Sequence, residues 1–257
     1  MKAQTFGGNG GYGGVNIMKC AAIILAGGTG KRMGAKVPKQ YMELCGKPVL
    51  YYSLKTFSDT DFIGEIVIVA GAEYADKVQS EIVDLYGLHK VSSVVTGGRE
   101  RYHSVHKGLE ALPRETDYVF IHDGARPFIS SYTIERCLHY AEKYKAAVAA
   151  VKSKDTVKIA DDDSMVQSTP DRSHVWQVQT PQTFEYTLIR DAYRKLIDDE
   201  ERLMAAGIAV TDDTMVAKMY ADTDARLVES TYENIKLTTP DDMELAEMIC
   251  GRVMDSK

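Results

Sequence analysis

The stretch Leu25-Ala26-Gly27-Gly28-Thr29-Gly30-Lys31-Arg32 combines a cluster of glycines with two cations, and Lys39 follows shortly after. Glycine allows backbone angles closed to other residues and lets a ligand approach the main chain. Amide donors of such a loop, together with Lys31, Arg32 and Lys39, describe a site for phosphate. Two familiar phosphate loops fail here. The nucleoside-triphosphate loop with a Gly-Lys pair needs an earlier glycine and a following Ser or Thr, but Leu25 and Arg32 hold those positions. The dinucleotide fingerprint begins at Gly28 and Gly30 but has Met33 at its third glycine, and Gly71 stands where a ribose-binding acid would end the next strand.

Other segments carry compatible chemistry. In GGRERYHSVHKGL, Gly98, Arg99 and Ser104 could place backbone and hydroxyl donors around a flat polar base, or they form an ordinary strand–helix turn with solvated arginines. In HDGARPF, Asp123 ends a strand at the edge where folds of this kind bind ligands. A lone carboxylate beside a triphosphate suits Mg²⁺, which keeps several waters and takes one or two carboxylates plus phosphate oxygens; capping of the following turn is the alternative. His122 reads as structural. Thr156, Arg172 and Thr180, in KDTVK and DRSHVWQVQTPQTF, suit a phosphate or are plain surface polar groups. Asp212 reads as a helix cap in support of the site. Lys236 lies in a short strand before a capped helix, where a bland exposed lysine is the other reading.

The elements that must position these residues alternate. Ala21–Leu25 is apolar without alternation, as in a strand buried on both faces of a parallel sheet. Pro48 opens a helix through Val49, Leu50, Leu54 and Phe57. GEIVIVAG is the next strand, followed by a helix over 72–86 with Val78, Ile82 and Leu85 on one face. VSSVVTGG, a helix with Val105, Leu109 and Leu112 inward, DYVFIHD, a helix capped by Ser130 or Ser131, and KAAVAAV continue the series. Such βα units predict an α/β protein with a doubly wound, mostly parallel sheet. From Lys152 to Thr183 the rhythm changes to short β-like pieces around Asp161-Asp162-Asp163, which predicts a projecting β-arm with a hairpin. Helices return at Glu185 to about Ala206, near Asp212–Tyr220, and from Pro240 to Met254.

The chain has 257 residues, with 26% charged and 44% hydrophobic, as in an ordinary globular domain. Residues 18–257 read as one domain, and the Gly-rich residues 1–17 as a disordered tail or a cloning remnant. A net charge of −6 argues against nucleic acid as the main partner. No apolar run approaches the ~20 residues that span a bilayer. The cysteines, Cys20, Cys45, Cys137 and Cys250, show no metal-ligand spacing and read as reduced thiols of a cytoplasmic protein.

Taken in order, LAGGTGKRM with PKQ, GGRERYHSVHKGL, HDGARPF, KDTVK, DRSHVWQVQTPQTF and ENIKLTTPDD resemble the 2-C-methyl-D-erythritol 4-phosphate cytidylyltransferase family, nucleotidyltransferases of the non-mevalonate isoprenoid pathway. The resemblance runs from about Met18 to Val253. Gly27 and Gly124 stand where that family more often has alanine, and Glu233 where aspartate is common; none of the three removes a charge. The resemblance implies a Rossmann-like nucleotidyltransferase fold, with CTP and a polyol phosphate as substrates, a divalent cation, and a homodimer joined through the arm. It implies that Ala26, Gly27, Gly28 and Gly30 line the nucleotide, and that Gly98, Arg99 and Ser104 meet the cytosine. Arg32 and Lys39 would stabilise the triphosphate charge in the transition state, and Asp123 would hold Mg²⁺. Arg126, Thr156 and Arg172 would position the polyol phosphate, while Lys236 would reach both phosphates; Thr180 counts with the substrate-binding residues on its own chemistry. Ribitol-5-phosphate cytidylyltransferase shares the glycine loop and QTPQ, and is the alternative activity.

Overall fold

The computed structural model describes residues 18–28 and 37–255. The tail over 1–17, and Gly30, Lys31 and Arg32 of the loop, lie outside the described residues.

The chain opens with strand β1 (Cys20–Ala26), whose small and branched residues are almost all buried. A two-residue ladder of β2 (Glu43–Leu44) and β3 (Lys47–Pro48) leads into helix α1 (Val49–Asp59). Strand β4 (Ile63–Ala70), a short α2 (Ala75–Lys77), strand β5 (Val91–Thr96) and helix α3 (Arg101–Ala111) follow. Then come β6 (Tyr118–Asp123), α4 (Ser131–Tyr144) and β7 (Ala146–Lys152). Ser130 caps α4, its Oγ accepting from the Thr133 amide at 3.2 Å. An excursion carries β8 (Ile159–Ala160) and β9 (Val166–Ser168). The last third holds β10 (Trp176–Glu185), α5 (Tyr186–Asp198), α6 (Glu200–Ala205), α7 (Asp213–Ala221), β11 (Arg226–Glu229) and α8 (Pro240–Asp255).

One seven-stranded sheet runs in the order β11-β7-β10-β6-β1-β4-β5, and only β10 is antiparallel to its neighbours. Because successive side chains of a strand point to opposite faces, the sheet feeds two cores. Ala22, Ile24, Ile66, Ile68 and Phe120 pack with Leu54 and Phe57 of α1 and Ile134 of α4. Ala21, Ile23, Val67, Val69 and Ile121 face Val105 and Leu109 of α3, Tyr193 of α5 and Val216 of α7. This is the doubly wound, mostly parallel α/β architecture expected. Among the described residues, no helix is long and apolar enough to cross a membrane.

Three local readings differ. The arm is shorter than 152–183, because β10 returns into the sheet between β7 and β6. Pro181 cannot donate to a ladder and argues against a central strand; here the β7–β10 register shifts between Val178 and Gln182, so the proline sits in an irregularity. The hairpin around the acidic turn does form, with Asp161 accepting from the Asp163 and Met165 amides at 3.1 and 2.9 Å. Leu85 is 68% exposed rather than inward. Val78 and Ile82 are buried as expected, and the π-helical stretch over Val78–Asp84, which replaces the 3.6-residue period, buries Val83 in place of Leu85. The helix expected to run unbroken from Glu185 to about Ala206 is interrupted at Asp199.

Candidate active site

Strand order reverses at β1: the chain moves outward to β4 and β5, then returns to place β6 on the other side. Ligands of open α/β sheets bind at such a switch point, beyond the carboxyl ends of the strands. A cleft of about 450 Å³ lies there, and Gly27, Gly28, Lys39, Gly98, Asp123 and Lys236 are among its lining residues. The register that pairs Leu25 with Asp123 brings the glycine loop and the carboxylate side by side.

Lys39 sits on a 3-10 turn over Lys39–Tyr41. That turn is tied to the loop by its neighbours. Gln40 Nε2 donates to the Ala26 and Gly28 carbonyls at 2.6 and 2.8 Å, and the Tyr41 hydroxyl donates to the Ala26 carbonyl at 2.8 Å. Ala26 is therefore buried, while Gly27 and Gly28 remain exposed.

On the opposite wall, the Gly97 amide donates to the Ala70 carbonyl at 2.8 Å, and the Gly98 amide to Ser104 Oγ at 3.0 Å. The Glu100 side chain and the His103 ring close a reciprocal cap on the first turn of α3. Arg99 reaches away to Glu200 at 2.8 Å and is 67% exposed at its side chain. Gly98 lies so close to α3 that an added Cβ would fall 2.3 Å from His103 Cβ. A side chain cannot rotate its own Cβ away, so the turn itself would have to open. Gly98→Ala is expected to cost about 1–3 kcal/mol of stability, as overpacking does, and to raise KM for the nucleotide that the resemblance implies more than it lowers kcat. A denaturant titration and steady-state kinetics check this; an unchanged KM would remove the turn from nucleotide binding.

The floor is built on Asp123. Lys236 Nζ lies 2.7 Å from its Oδ2, Arg126 Nε 3.8 Å from Oδ2, and Arg101 Nε 3.7 Å from Oδ1. Burial alone would raise the pKa of this carboxyl, but the charges of Lys236, Arg101 and Arg126 outweigh it and hold the group far below the usual carboxylate range. Asp123 is thus an anion with its charge fixed. Lys236 is held in place through its neighbours: the Leu237 amide donates to the Ala125 carbonyl at 2.9 Å, and Asp242 of α8 accepts from the Thr238 and Thr239 amides at 2.6 and 2.8 Å.

Behind Asp123 runs a relay of fixed groups. The Asp123 amide donates to Thr180 Oγ1 at 3.0 Å, and Thr180 Oγ1 lies 3.0 Å from His122 Nδ1. His122 Nε2 is 3.1 Å from the Arg126 carbonyl. A carbonyl only accepts, so Nε2 carries the proton and Nδ1 accepts from the threonine. Burial pushes the His122 pKa down to about 4, so the ring is neutral and structural, as its sequence context suggested.

The sequence-predicted residues therefore divide. Gly27, Gly28, Lys39, Gly98, Arg99, Ser104, Asp123 and Lys236 line one cleft. Thr180 does not reach it: it is 3% exposed, and its hydroxyl is engaged with Asp123 and His122. The expected contact between Thr180 and a substrate phosphate is replaced by support of the carboxylate from behind. Arg126 is largely buried, with Nη1 donating to the Asn234 carbonyl at 2.8 Å, while its Nε faces Asp123 with no hydrogen-bond partner. Thr156 and Arg172 are exposed in the excursion after β7 and do not line the cleft of their own chain; Arg172 Nη1 donates to the Lys154 carbonyl at 3.0 Å. Arg32 and Gly30 fall outside the described residues. Sequence reasoning missed Gln40, Arg101, Asp213 and Gln182. Asp212 caps α7 as expected, accepting from the Met215 amide at 2.9 Å; the adjacent Asp213 is wholly buried, which nothing in the sequence distinguishes from Asp212.

The model of the family described as IspD, 2-C-methyl-D-erythritol 4-phosphate cytidylyltransferase, matches residues 20–252. A 2-C-methyl-D-erythritol 4-phosphate cytidylyltransferase of Lachnoclostridium phytofermentans is 46% identical over 237 residues, covering 92% of this chain and 98% of the relative. One from Lachnospira eligens is 45% identical over 225 residues, covering 88% and 96%. Among solved structures, the 4-diphosphocytidyl-2C-methyl-D-erythritol synthase of Anaerococcus prevotii superposes with a TM-score of 0.78 at 34% identity, covering 91% of this chain and 96% of that one.

Proposed function

Because the chain belongs to the 2-C-methyl-D-erythritol 4-phosphate cytidylyltransferase family, we propose that the cleft at the β1–β6 switch point joins CTP to 2-C-methyl-D-erythritol 4-phosphate and releases pyrophosphate. The activity is that of a CTP-dependent transferase serving isoprenoid precursor synthesis. The observation that carries the reading is the facing pair of walls: a glycine loop with Lys39 on one side, the Gly98–Ser104 turn on the other, and Lys236 on Asp123 between them. The relatives' names favour this polyol phosphate over ribitol 5-phosphate. Pyrophosphate release measured with CTP and each of the two polyol phosphates tests it. Faster turnover of ribitol 5-phosphate would overturn the assignment.

The reaction needs no covalent enzyme intermediate. A phosphate oxygen of the polyol phosphate attacks the α-phosphorus of CTP in line, and pyrophosphate departs. The obstacle is the approach of two anions, so fixed cations and alignment carry the catalysis. Gly27 and Gly28 offer backbone groups to the triphosphate, whereas Ala26, expected beside them, is buried with its carbonyl held by Gln40 and Tyr41; Arg32 and Lys39 stabilise the charge that builds there. Gly98, Arg99 and Ser104 receive the cytosine. Lys236 reaches toward both phosphates from its place on Asp123.

Asp123 suits a magnesium ion by its chemistry. It is an ionised carboxylate on the cleft, where the other lining acid, Glu100, is engaged in capping α3, and the described residues hold no cluster of three or more His, Cys, Asp or Glu that would suit a cation caged by protein alone. When bound, the ion supplies charge neutralisation to the phosphates. Asp123→Asn is expected to raise the Mg²⁺ concentration for half-maximal rate by about tenfold or more. An unchanged titration would take Asp123 out of the metal site.

The protein works as a two-fold homodimer through the excursion after β7. Ile159, Met165 and Val166 there are 51–65% exposed, apolar side chains that a second copy would cover. Arg172 and Thr156, which do not line their own cleft, then serve the polyol phosphate in the partner's.

A further inference from the structure

Arg101, which lines the cleft, and Asp213, wholly buried behind it, are charged residues to which the catalytic roles above assign nothing. Asp213, the first residue of α7, is wholly buried and gripped from several directions. Its amide donates to Gln182 Oε1 at 2.9 Å. Arg101 donates through Nη1 to Oδ1 at 2.6 Å and through Nη2 to Oδ2 at 2.8 Å, a two-pronged pair. The Tyr193 hydroxyl, buried in the core beneath, also donates to Oδ1. A carboxylate held this way has one position, and the guanidinium fork is committed to it.

The consequence falls on Asp123. Only Nε of Arg101 is left to face it, and 3.7 Å from Oδ1 is beyond hydrogen-bond reach. Lys236 and Arg126 both lie toward Oδ2. Among the described residues, Oδ1 thus has no hydrogen-bond donor within reach. Were the charge of Asp213 absent, Arg101 would be a poorly solvated cation with Asp123 as the nearest carboxylate, and its fork would turn onto Oδ1. We infer that Asp213 is a positioning residue for the transfer reaction: it draws the Arg101 fork away from Asp123 and keeps Oδ1 open to the divalent cation. This rests on the reading of Asp123 as the cation's carboxylate.

The test measures Mn²⁺ binding by electron paramagnetic resonance with enzyme and CTP but no polyol phosphate, so that no turnover occurs, beside a Mg²⁺ titration of the rate. Asp213→Asn is expected to weaken Mn²⁺ binding about tenfold. The double variant Asp213→Asn with Arg101→Gln removes the freed cation and is expected to return Mn²⁺ binding to within about threefold of wild type. Asp213 acting only as a brace for α7 would leave the double variant no better than the single one. Asp213→Glu keeps the charge but pushes the fork toward Asp123; it is expected to weaken Mn²⁺ binding severalfold, and it decides the matter if Asp213→Asn does not fold. Asp123→Asn runs in parallel. A shift there, with none in the Asp213 variants or no recovery in the double variant, overturns the inference and leaves the metal role standing. No shift in Asp123→Asn itself overturns the metal role and the inference with it.

Discussion

Lys236→Ala is expected to lower kcat by about 10²-fold or more, the effect of removing one aligned donor from a developing phosphate charge, while Tm falls by only a few degrees. The two effects separate because of where the ammonium sits. Its side chain is 38% exposed, so its pair with Asp123 at 2.7 Å adds about 1 kcal/mol or less to stability after solvent screening. In a domain of this size that corresponds to roughly 2–4 °C. Asp123 keeps Arg101 and Arg126 at 3.7 and 3.8 Å and is not stranded as an unpaired buried charge. Lys39→Ala is expected to behave alike, since Lys39 lies at the cleft on a turn that Gln40 and Tyr41 hold independently of it. Rate per folded molecule, from kcat corrected by the folded fraction, is the measurement. Equal losses of activity and folded protein, with that ratio unchanged, would show both lysines to be structural.

Mixing Lys39→Ala with Arg172→Ala is expected to restore about a quarter of wild-type activity from two nearly inactive proteins. Lys39 lines the cleft of its own chain, whereas Arg172 is exposed on the excursion after β7 and does not. If Arg172 serves the partner's cleft, a hybrid dimer has one site with both defects and one with neither. Random exchange makes about half of the dimers hybrid, and half of their sites intact. Exchange is followed by mass spectrometry of differently labelled subunits. Complete exchange without recovery would place the action of Arg172 within its own chain, or remove it from catalysis.

The contrast between these residues shows what could be read from the chain alone. Local pattern was enough for the parallel strands, because a strand buried on both faces is apolar without alternation, as Ala21–Leu25 and Val67–Ala70 are. It was enough for Asp123 and the glycine loop, since strand ends in such folds point toward one crevice. It failed at Leu85, because the π-helical segment over Val78–Asp84 changes the period on which inward positions are counted. It failed for β10, where Pro181 and the polar residues around it disguise a central strand.

The sequence by itself determined the α/β class, the glycine loop at the end of β1, and Arg126 and Lys236 as two of the cations around Asp123. The tertiary structure decided which of them face the cleft. Thr180 and Arg126 lie next to the site along the chain's own logic, yet β10 brings Thr180 in from behind, and the Asn234 carbonyl holds Arg126 beneath the carboxylate. Arg101 and Asp213 stand 112 positions apart and acquire meaning only when α3 and α7 pack on the same face. Residue type and spacing report what a segment can do. Which partner a buried charge finds is a property of long-range packing, because a charge removed from water takes the counter-charge that the fold brings within reach.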